Sequence, residues 1–216
     1  MTLELALPET ELFLPESLIG QGAVREAYIC GDFVLKVMKP DLHIRKKMFM
    51  GRVEIPAEQY LKKRYKIDDF NTYEFTQYLQ LMQRVPAYLL DNFSKIIGIK
   101  EIQGRSVSIN ELVRDADGSI SRTLADNGPV GDAGFWEKMD ELEKFFLDAR
   151  ILHLGIDDRN ILVRIDEGTL PVIIDYKRMG KNVRPRTIGM FFAYGRAAKT
   201  RKKFQAIRNK YKSPMQ

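Results

Sequence analysis

Alternating apolar and polar positions in the first half of the chain predict short antiparallel strands. Each run is rich in Leu, Ile, Val, Tyr or Phe and is bounded by turn-forming residues. Gly20-Gln21-Gly22 separates the first two runs, and Gly31-Asp32 separates the second from the third. The predicted strands are 17–19, 25–30, 33–37, 94–101 and 104–113. A sheet therefore dominates the first half.

Apolar residues at spacings of three and four predict helices elsewhere. A helix is expected from Asn71, with Phe75, Tyr78, Leu79 and Met82 on its apolar face. The clearest helix is 134–152, whose apolar positions are Phe135, Met139, Leu142, Phe146 and Ala149. Residues 186–211 predict one basic helix, or two interrupted near Gly195. The polar, basic insert 41–66 predicts no particular structure.

A second hairpin is expected near the end of the apolar part of the chain. The segment 161–165 reads as one strand, a turn follows at Asp166-Glu167-Gly168, and 171–174 reads as the return strand. Asn160 lies just before the first strand and Asp175 just after the second. Hairpin geometry brings these two residues to the same end.

Composition excludes several kinds of site. With Cys30 alone, no intramolecular disulfide can form and a cysteine-based zinc site is implausible. His43 and His153 are the only histidines, too few for a histidine-rich metal cluster. The first twenty residues lack the cationic start of a signal peptide, and no apolar run is long enough to span a membrane. A cytoplasmic protein without a transmembrane segment is expected.

Charge is distributed unevenly. Of the 35 basic residues, thirteen lie in 176–216, a segment with no Asp or Glu. The rest of the chain holds 22 basic and 29 acidic residues, a net charge of −7. Such a split concerns partners and not fold, and it raises the prospect of an anionic partner at the basic C-terminus. A solvated helix that offsets the acidic body is the alternative.

Phosphate-binding chemistry is indicated by the first hairpin and the strand after it. Glycines in a strand–turn–strand offer unhindered backbone N–H groups to phosphates, as Gly20 and Gly22 could. Lys36 lies among apolar residues of the third strand, so its charge needs a partner. Glu74 on the following helix is the best candidate partner, although Glu54 and Glu58 remain alternatives.

Metal-binding chemistry is indicated by the second hairpin. The amide oxygen of Asn160 and the carboxylate of Asp175 are hard ligands of the kind that Mg²⁺ prefers. Together with the glycine turn, the strand lysine and the helix glutamate, they follow the order of the protein-kinase motifs. The sequence therefore predicts that ATP and Mg²⁺ are the cofactors.

The motifs resemble the bacterial YrbL family, the PhoP regulatory network proteins. The likeness lies in GQGAVREAY at 20–28, Glu74 with Tyr78, ELVRDADG at 111–118 and HLGIDDRNILV at 153–163. The resemblance implies a protein-kinase-like α+β fold in which adenine lies against the backbone from Glu111 to Val113. It implies an antiparallel-sheet N-lobe at 1–113 and a reduced helical C-lobe at 114–216, with ATP in the interlobe cleft.

Two positions depart from the kinase pattern. Gly155 stands where the catalytic-base aspartate of H-x-D-x-x-x-x-N is expected, and Tyr176-Lys177 replaces the last two residues of D-F-G. Asp157 is a candidate substitute base, and Asp158 should point elsewhere. Only 41 residues follow Asp175, fewer than a full kinase C-lobe needs, so protein substrates bound in the usual manner are not expected.

Three functions remain open at this point. The chain could be an ATP-dependent phosphotransferase acting on a hydroxyl of a small molecule, sugar or lipid, with Asp157, Asn160 and Asp175 in catalytic roles. It could be a pseudokinase that binds nucleotide and acts as a regulator or scaffold. It could also bind nucleic acid or another polyanion through its basic C-terminus.

Overall fold

The computed structural model describes residues 13–22, 24–39, 43–48, 51–56, 62, 69–151, 156–176 and 189–212, with backbone alone at 43–48, 51–56 and 189–196. The chain divides into two compact units. The first contains residues 1–75 and 95–112, and the second contains 76–94 and 113–216. Residues 76–94, which the sequence-based division places with the first lobe, therefore group with the second unit.

The first unit is built on a five-stranded antiparallel sheet. The strands are β1 (Leu18–Gln21), β2 (Arg25–Cys30), β3 (Phe33–Met38), β6 (Ile96–Ile102) and β7 (Arg105–Glu111), in the spatial order β1-β2-β3-β7-β6. Gln103 (φ 52°) and Gly104 (φ 69°) form the two-residue turn between β6 and β7, both in the left-handed region that such hairpins require. All five strands fall where the alternation predicts them, within a few residues.

One face of this sheet carries an apolar core. Its buried members are Tyr28, Leu35, Val37, Val107 and Ile109, and Phe13 packs against them. The opposite face is polar, because Arg25, Lys36 and Ser108 alternate with the core residues along the same strands. A sheet with a polar buried face must pair its charges, and this requirement positions the helix that follows.

The first helix, α1 (Phe70–Met82), buries the predicted face only in part. Tyr78 is buried as predicted, whereas Leu79, expected on the same face, is 46% exposed. Asn71 and Glu74 are completely buried, and Gln77 and Leu81 are buried with them. The prediction for Leu79 was wrong because the N-terminal half of α1 turns polar side chains towards the charges of the sheet.

The insert contains a separate two-stranded sheet. β4 (His43–Met48) pairs with β5 (Gly51–Pro56) in a regular antiparallel register. No hairpin was predicted there because the segment is basic and lacks a clear apolar alternation. The remaining residues of 41–66, apart from Lys62, lie outside the described part of the chain.

The second unit combines a three-stranded sheet with helices. The sheet has the order β10-β9-β8. Its strands are β8 (Arg122–Thr123), β9 (Ile161–Ile165) and β10 (Thr169–Ile173), and its helices are α2 (Leu124–Asn127), α3 (Ala133–Asp148) and α4 (Gly189–Tyr211). A 3-10 helix at Ala87–Asn92 lies beside β10, where the Asn92 side-chain amide donates to the Pro171 carbonyl over 2.8 Å.

The helix α3 confirms its predicted apolar face. Phe135, Met139, Leu142 and Phe146 are all buried. The helix ends at Asp148, four residues before the predicted end, because Arg150 adopts a left-handed conformation (φ 53°) and the Ile151 N–H bonds back to the Phe146 carbonyl.

The last helix, α4, is continuous. Of the two expectations for the basic segment, one helix or two, the single helix is correct, and it continues through Gly195. Phe204 and Ile207 are buried, and the ring of Phe204 lies 6.3 Å from that of Phe146 in α3. No helix in the described part of the chain has the length and apolar content to cross a membrane.

These elements confirm the predicted fold class, α+β and protein-kinase-like. A five-stranded antiparallel sheet carries the helix α1 between β3 and β6, and a hairpin of β9 and β10 follows in a unit with more helices. This is the order in which the kinase fold presents its strand lysine, its helix glutamate and its metal ligands.

Candidate functional site

A buried charge cluster lies on the polar face of the first unit's sheet. The Glu74 side chain is fully buried in α1, and its Oε1 lies 3.7 Å from Lys36 Nζ. The Arg25 guanidinium also pairs directly with Glu74. The structure thus brings Lys36 to Glu74, while the side chains of the alternatives, Glu54 and Glu58, lie outside the described residues. One carboxylate serves two cations, leaving the cluster with a net positive charge.

Asn71 and Asp69 attach the start of α1 to the sheet. Asn71 Oδ1 accepts from Arg25 over 2.9 Å, and its Nδ2 donates to the backbone carbonyls of Ser106 and Lys36 over 2.8 and 3.2 Å. The Asp69 carboxylate caps the helix by accepting from the Thr72 N–H, and it also accepts from the Ser106 hydroxyl. Through these bonds the sheet determines where Glu74 stands.

The Asp69 carboxylate at this attachment point is held in its charged form. Burial raises the pKa of the Asp69 carboxyl, but hydrogen bonds from Thr72, Ser106 and Asn71 outweigh burial and hold the pKa below its ordinary value. Asp69 is therefore an anion that also complements the N-terminal end of the α1 dipole.

Gly20, at the glycine turn, lies in line with Lys36 across the sheet. Gly20 pairs with Ala27, and Ala27 pairs with Lys36, so the three residues form a row across β1, β2 and β3. A Cβ on Gly20 would lie 3.8 Å from Ala27 Cβ, an ordinary van der Waals contact. The Gly22 N–H donates to the Arg25 carbonyl over 2.8 Å, which closes the turn.

The segment after β7 is held by backbone hydrogen bonds. The Glu111 N–H donates to the Lys95 carbonyl, and the Leu112 N–H donates to the Asp32 carbonyl over 3.0 Å. In the second unit the Val113 carbonyl accepts from Ser121 N–H over 3.1 Å. Backbone hydrogen bonds therefore hold both Glu111 and Val113, the residues predicted to contact adenine.

The second unit places Asn160 and Asp175 at the same end of a hairpin, as the spacing predicts. Ile161 pairs with Ile173 as the last pair of the ladder, and the Ile174 N–H then donates to the Asn160 carbonyl over 3.1 Å. Asn160 and Asp175 are both partly exposed. Their oxygen donors are of the hard type that suits Mg²⁺.

Tyr176 anchors the residue before it. Its side chain is fully buried, and its ring lies 5.1 Å from that of Tyr78. Its hydroxyl lies 2.5 Å from the Ser94 carbonyl and 2.7 Å from the Ile173 carbonyl, and can donate to either. Tyr176, which stands where D-F-G has phenylalanine, is therefore firmly anchored. Its anchoring fixes the backbone next to Asp175.

The two aspartates in the loop before β9 differ in their main hydrogen-bond partners. Asp157 is exposed, and its Oδ1 accepts from the Arg159 N–H over 3.0 Å. Asp158 instead accepts from Lys210 Nζ over 2.8 Å and from the Tyr211 hydroxyl over 2.6 Å. These hydrogen bonds, that from Lys210 foremost, hold the pKa of Asp158 well below its ordinary value. His153 and Gly155 lie outside the described residues.

Part of the basic charge of α4 is used within the second unit. Arg208 pairs with Asp140 and with Glu143, the latter over 2.7 Å, and Lys203 Nζ donates to the Ile156 carbonyl over 3.2 Å. Lys199, Arg201 and Lys202 are exposed and line one groove together with Gln205 and Glu143. These three residues form an exposed basic patch on α4, and Lys210 and Lys212 are exposed as well.

Sequence reasoning missed one cation of the charge cluster and the two residues that attach α1 to the sheet. Arg25 was noted within the glycine-loop motif but was not assigned as a partner of Glu74, and Asn71 and Asp69 were not singled out. A signal existed for Arg25, since it occupies the place of the third glycine of the kinase loop at the start of an apolar strand. Asn71 and Asp69 carry no comparable signal, because they find their partners only once the sheet has formed.

Comparisons with known proteins identify similar structures but no sequence relatives. No protein-family model matches the chain. No curated protein matches it in sequence either. The PknI kinase domain of Mycobacterium tuberculosis is 14% identical over 74% of this chain and 58% of that one, with a TM-score of 0.41.

Two further solved structures are similar to the chain. The apo form of PpkA-294 is 18% identical over 77% of this chain and 58% of its own, with a TM-score of 0.41. The bifunctional kinase-methyltransferase WbdD is 14% identical over 82% of this chain and 35% of its own, with a TM-score of 0.45. The chain spans about three fifths of the length of the PknI kinase domains that it matches.

Proposed function

We propose that this chain binds ATP with Mg²⁺ and transfers the terminal phosphoryl group to a hydroxyl of a small molecule, sugar or lipid. The observation that carries the proposal is the ion pair between the partly exposed Lys36 and the buried Glu74, with Gly20 and Ala27 in line with Lys36 across the neighbouring strands. A lysine held by a buried helix carboxylate is the arrangement that orients phosphates in the protein-kinase fold.

Lys36 would contact the phosphates. Its side chain is 15% exposed, whereas that of Glu74 is completely buried, so the ammonium is the member of the pair that can reach a ligand. Arg25 supplies a second positive charge to Glu74. The cluster therefore retains a positive charge that a polyphosphate would neutralise.

Asn160 and Asp175 would hold the metal. A Mg²⁺ ion bound there would neutralise charge on the phosphates during transfer. Tyr176 keeps Asp175 in place through its buried ring and hydroxyl, and the Ile174–Asn160 hydrogen bond keeps the two ligand residues adjacent. The donor set is one amide oxygen and one carboxylate, which fits Mg²⁺ better than a softer metal.

Asp157 is the proposed base. In the transfer step the substrate hydroxyl oxygen bonds to the terminal phosphorus, ADP departs, and the hydroxyl proton passes to the Asp157 carboxylate. Asp157 is exposed, so a substrate can approach it, and the Arg159 N–H fixes one of its oxygens. A loose transition state makes modest demands on such a base.

Family membership and adenine contacts form the finer part of the proposal. The motifs at 20–28, 111–118 and 153–163 support assignment to the YrbL family, in which adenine would lie against the backbone of Glu111 and Val113. Both residues have ordered backbones. Their carbonyl and N–H groups are suited to the polar edge of a purine.

A pseudokinase is the second candidate, and Gly155 favours it. The catalytic-base position of the kinase motif has no side chain there. Under this alternative Lys36, Asn160 and Asp175 still bind nucleotide, and the chain acts as a regulator or scaffold without turnover. A third activity, binding of a polyanion through α4, is supported by the exposed Lys199, Arg201 and Lys202.

An ATP-turnover assay preceded by a thermal-shift titration with ATP and Mg²⁺ tests these candidates. The variants are Lys36→Met and Asp175→Asn, which should lose the nucleotide response. Lys100→Met is a matched control, because its pairing with Val107 places it on the opposite face of the same sheet. Asp166→Asn is a second control at the other end of the hairpin from Asp175.

The outcomes separate the candidates. Nucleotide binding with turnover that disappears in Lys36→Met and Asp175→Asn supports the phosphotransferase. Binding without turnover over a panel of sugar, lipid and small-molecule hydroxyls supports the pseudokinase. A folded chain with no thermal response to millimolar ATP and Mg²⁺ would refute both.

A further inference from the structure

Asn110 in the first unit carries a buried polar atom that has no hydrogen-bond partner in the described part of the chain. Asn110 lies on β7 and is 2% exposed, yet its side-chain oxygen Oδ1 has no hydrogen-bond partner among the described residues. Buried side-chain oxygens are nearly always paired with protein or with ordered water. Such an acceptor in a well-formed sheet is suited to accept a hydrogen bond from a bound ligand.

The orientation of the Asn110 amide is determined by its surroundings. Its Nδ2 donates to the Ser108 carbonyl over 3.0 Å and to the Ser108 hydroxyl over 3.1 Å, and it lies 3.4 Å from the Val34 carbonyl. Exchanging the nitrogen and the oxygen would set Oδ1 against two backbone carbonyls, which are acceptors themselves. The atom left without a partner is thus an acceptor and cannot become a donor by rotation.

Strand register puts Asn110 on the same sheet face as the phosphate-binding lysine. Val34 pairs with Asn110 and Lys36 pairs with Ser108. Residues that pair across strands, and residues two apart along a strand, share a face. Asn110 therefore lies on the same face as Lys36, two residues along β7 from Ser108, the cross-strand partner of Lys36. It immediately precedes Glu111, whose backbone is the proposed adenine contact.

We infer that Asn110 is a specificity-determining residue that accepts a hydrogen bond from the exocyclic amino group of adenine. The inference rests on the proposed binding of ATP and adds which base is selected. Adenine presents an amine donor at its 6-position, whereas guanine presents a carbonyl acceptor there. Because Oδ1 cannot be exchanged for a donor, guanine would face it acceptor to acceptor.

The consequence is a measurable preference for one nucleotide. Loss of one buried hydrogen bond typically weakens binding about tenfold. Purine riboside triphosphate, which lacks the 6-amino group, should therefore bind the wild-type chain about tenfold more weakly than ATP. GTP should bind more weakly still, because a site built around an acceptor leaves both carbonyl oxygens unpaired.

A cycle that removes each partner in turn tests the assignment. Dissociation constants for ATP and purine riboside triphosphate, each with Mg²⁺, are measured on the wild type and on Asn110→Leu, which has a similar volume and no acceptor. The tenfold preference for the amine should fall to less than about twofold in Asn110→Leu. Asn92→Leu, which changes a buried asparagine of the second unit, should retain the full preference.

Other results would overturn the inference in distinguishable ways. An unchanged preference in Asn110→Leu means that another group recognises the amine. No preference in the wild type means that the amine is not recognised. If Asn110→Leu does not fold, Asn110→Val, which is smaller and also has no acceptor, is used with the same two ligands and should likewise lose the preference. A wild type that binds no purine triphosphate would refute the proposed function and this inference with it.

Discussion

Three charged residues decide the character of the first unit's polar face. Arg25 and Lys36 both use the carboxylate of Glu74, and the Glu74 and Arg25 side chains are 0% and 7% exposed. Removing charges from water is costly, so a buried carboxylate is stable only while its partners remain. The cluster therefore combines a structural role with the presentation of Lys36.

We predict that Glu74→Gln destabilises the chain by about 3–5 kcal/mol, because it leaves two buried cations without a counter-charge. Lys36→Met should cost less, since Arg25 continues to pair with Glu74. Urea denaturation monitored by circular dichroism measures both variants. Glu101→Gln, an exposed glutamate of β6, should change stability by less than about 0.5 kcal/mol. A loss below about 1 kcal/mol in Glu74→Gln would show that the carboxylate is not needed for the fold.

The predictability of these residues follows from how local their signals are. Lys36 could be predicted because an ammonium among apolar strand residues needs a partner, and the kinase order points to a glutamate on the next helix. Arg25 and Asn71 are 46 positions apart in the chain and meet only in the folded unit. No local pattern reveals such a pair, so the sequence could indicate the lysine and its glutamate but not their surroundings.

Substitution of Asp157 distinguishes an active enzyme from a pseudokinase. Asp157→Asn keeps an oxygen that can accept from the Arg159 N–H, but it cannot take a proton at neutral pH. General-base assistance contributes about 10²–10⁴-fold, with phosphoryl transfer at the lower end. Turnover should thus fall about a hundredfold, while the ATP-induced thermal shift is retained. Equal turnover in the variant and the wild type would leave Asp157 without a catalytic role, and Asp166→Asn should resemble the wild type.

At the scale of elements, the end of α4 fastens the loop that carries Asp157 and Asn160. Lys210 and Tyr211 bind Asp158, and Lys203 binds the Ile156 carbonyl. The Tyr211 carbonyl also accepts from the Val130 N–H over 2.8 Å. Asp158 interacts with Asp157 as well as with α4, so the expectation that it points elsewhere is wrong, and substitution there would loosen the loop. It is therefore not a neutral control for Asp157, the proposed base.

The Asp158 contact should give the chain an acid-sensitive contribution to stability. The folded pKa of Asp158 is depressed below its unfolded value, so the contribution is present above about pH 4 and is lost as the pH falls through the folded pKa. Asp158→Asn should melt below the wild type at pH 7, and the gap should close towards pH 2. Lys210→Gln should behave in the same way, whereas Lys212→Gln should not. A gap that is constant from pH 7 to pH 2 would contradict this assignment.

If the exposed basic residues of α4 bind duplex DNA, the affinity should depend on salt concentration. Each phosphate neutralised on duplex DNA contributes about −0.9 to the slope of log affinity against log salt. Replacing Lys199, Arg201 and Lys202 with alanine should reduce the slope by up to about 2.7 units in a fluorescence-anisotropy titration. Arg208 is not included because it pairs with Asp140 and Glu143.

A charge-matched variant elsewhere completes this test. Lys95, Lys100 and Arg122 lie outside α4, and their replacement with alanine removes the same charge. If both triple variants bind alike, the basic segment serves solubility and not a specific partner. Retention on anionic vesicles but not on DNA would instead indicate a lipid surface as the partner.

Elements with strong local patterns were predictable, and those determined by partners were not. The strands of the first sheet and α3 follow alternation and a spacing of three to four, because each buries an apolar face. The face of α1 was predicted only in part, since Tyr78 is buried but Leu79 is exposed, and the helix buries Asn71 and Glu74 against a polar sheet. The β4–β5 hairpin lacks an apolar face that could have revealed it. Periodicity therefore identifies elements that bury apolar side chains and misses those that bury polar ones.

For the whole molecule, charge asymmetry decides how nucleotide binding must be tested. Thirteen basic residues after Asp175 oppose a net charge of −7 in the rest of the chain. A triphosphate could associate with such a segment without any specific site. Stabilisation by ATP therefore counts for the proposed site only when it can be distinguished from association with the basic segment.

We predict that ATP with Mg²⁺ at about 100 times Kd stabilises the folded chain by about 2.7 kcal/mol. In a chain of 216 residues this corresponds to a rise of about 5–10 °C in Tm. The rise should be kept by the Lys199, Arg201 and Lys202→Ala variant and lost in Lys36→Met. Differential scanning fluorimetry at 50 and 300 mM salt measures it, with tripolyphosphate as the matched anion without a base. Because association with exposed charges is screened by salt and a partly buried pair much less so, the ATP response should survive at 300 mM while any tripolyphosphate response fades. Equal responses to the two ligands, both abolished by salt, would assign binding to the basic segment. That result would contradict nucleotide binding at Lys36.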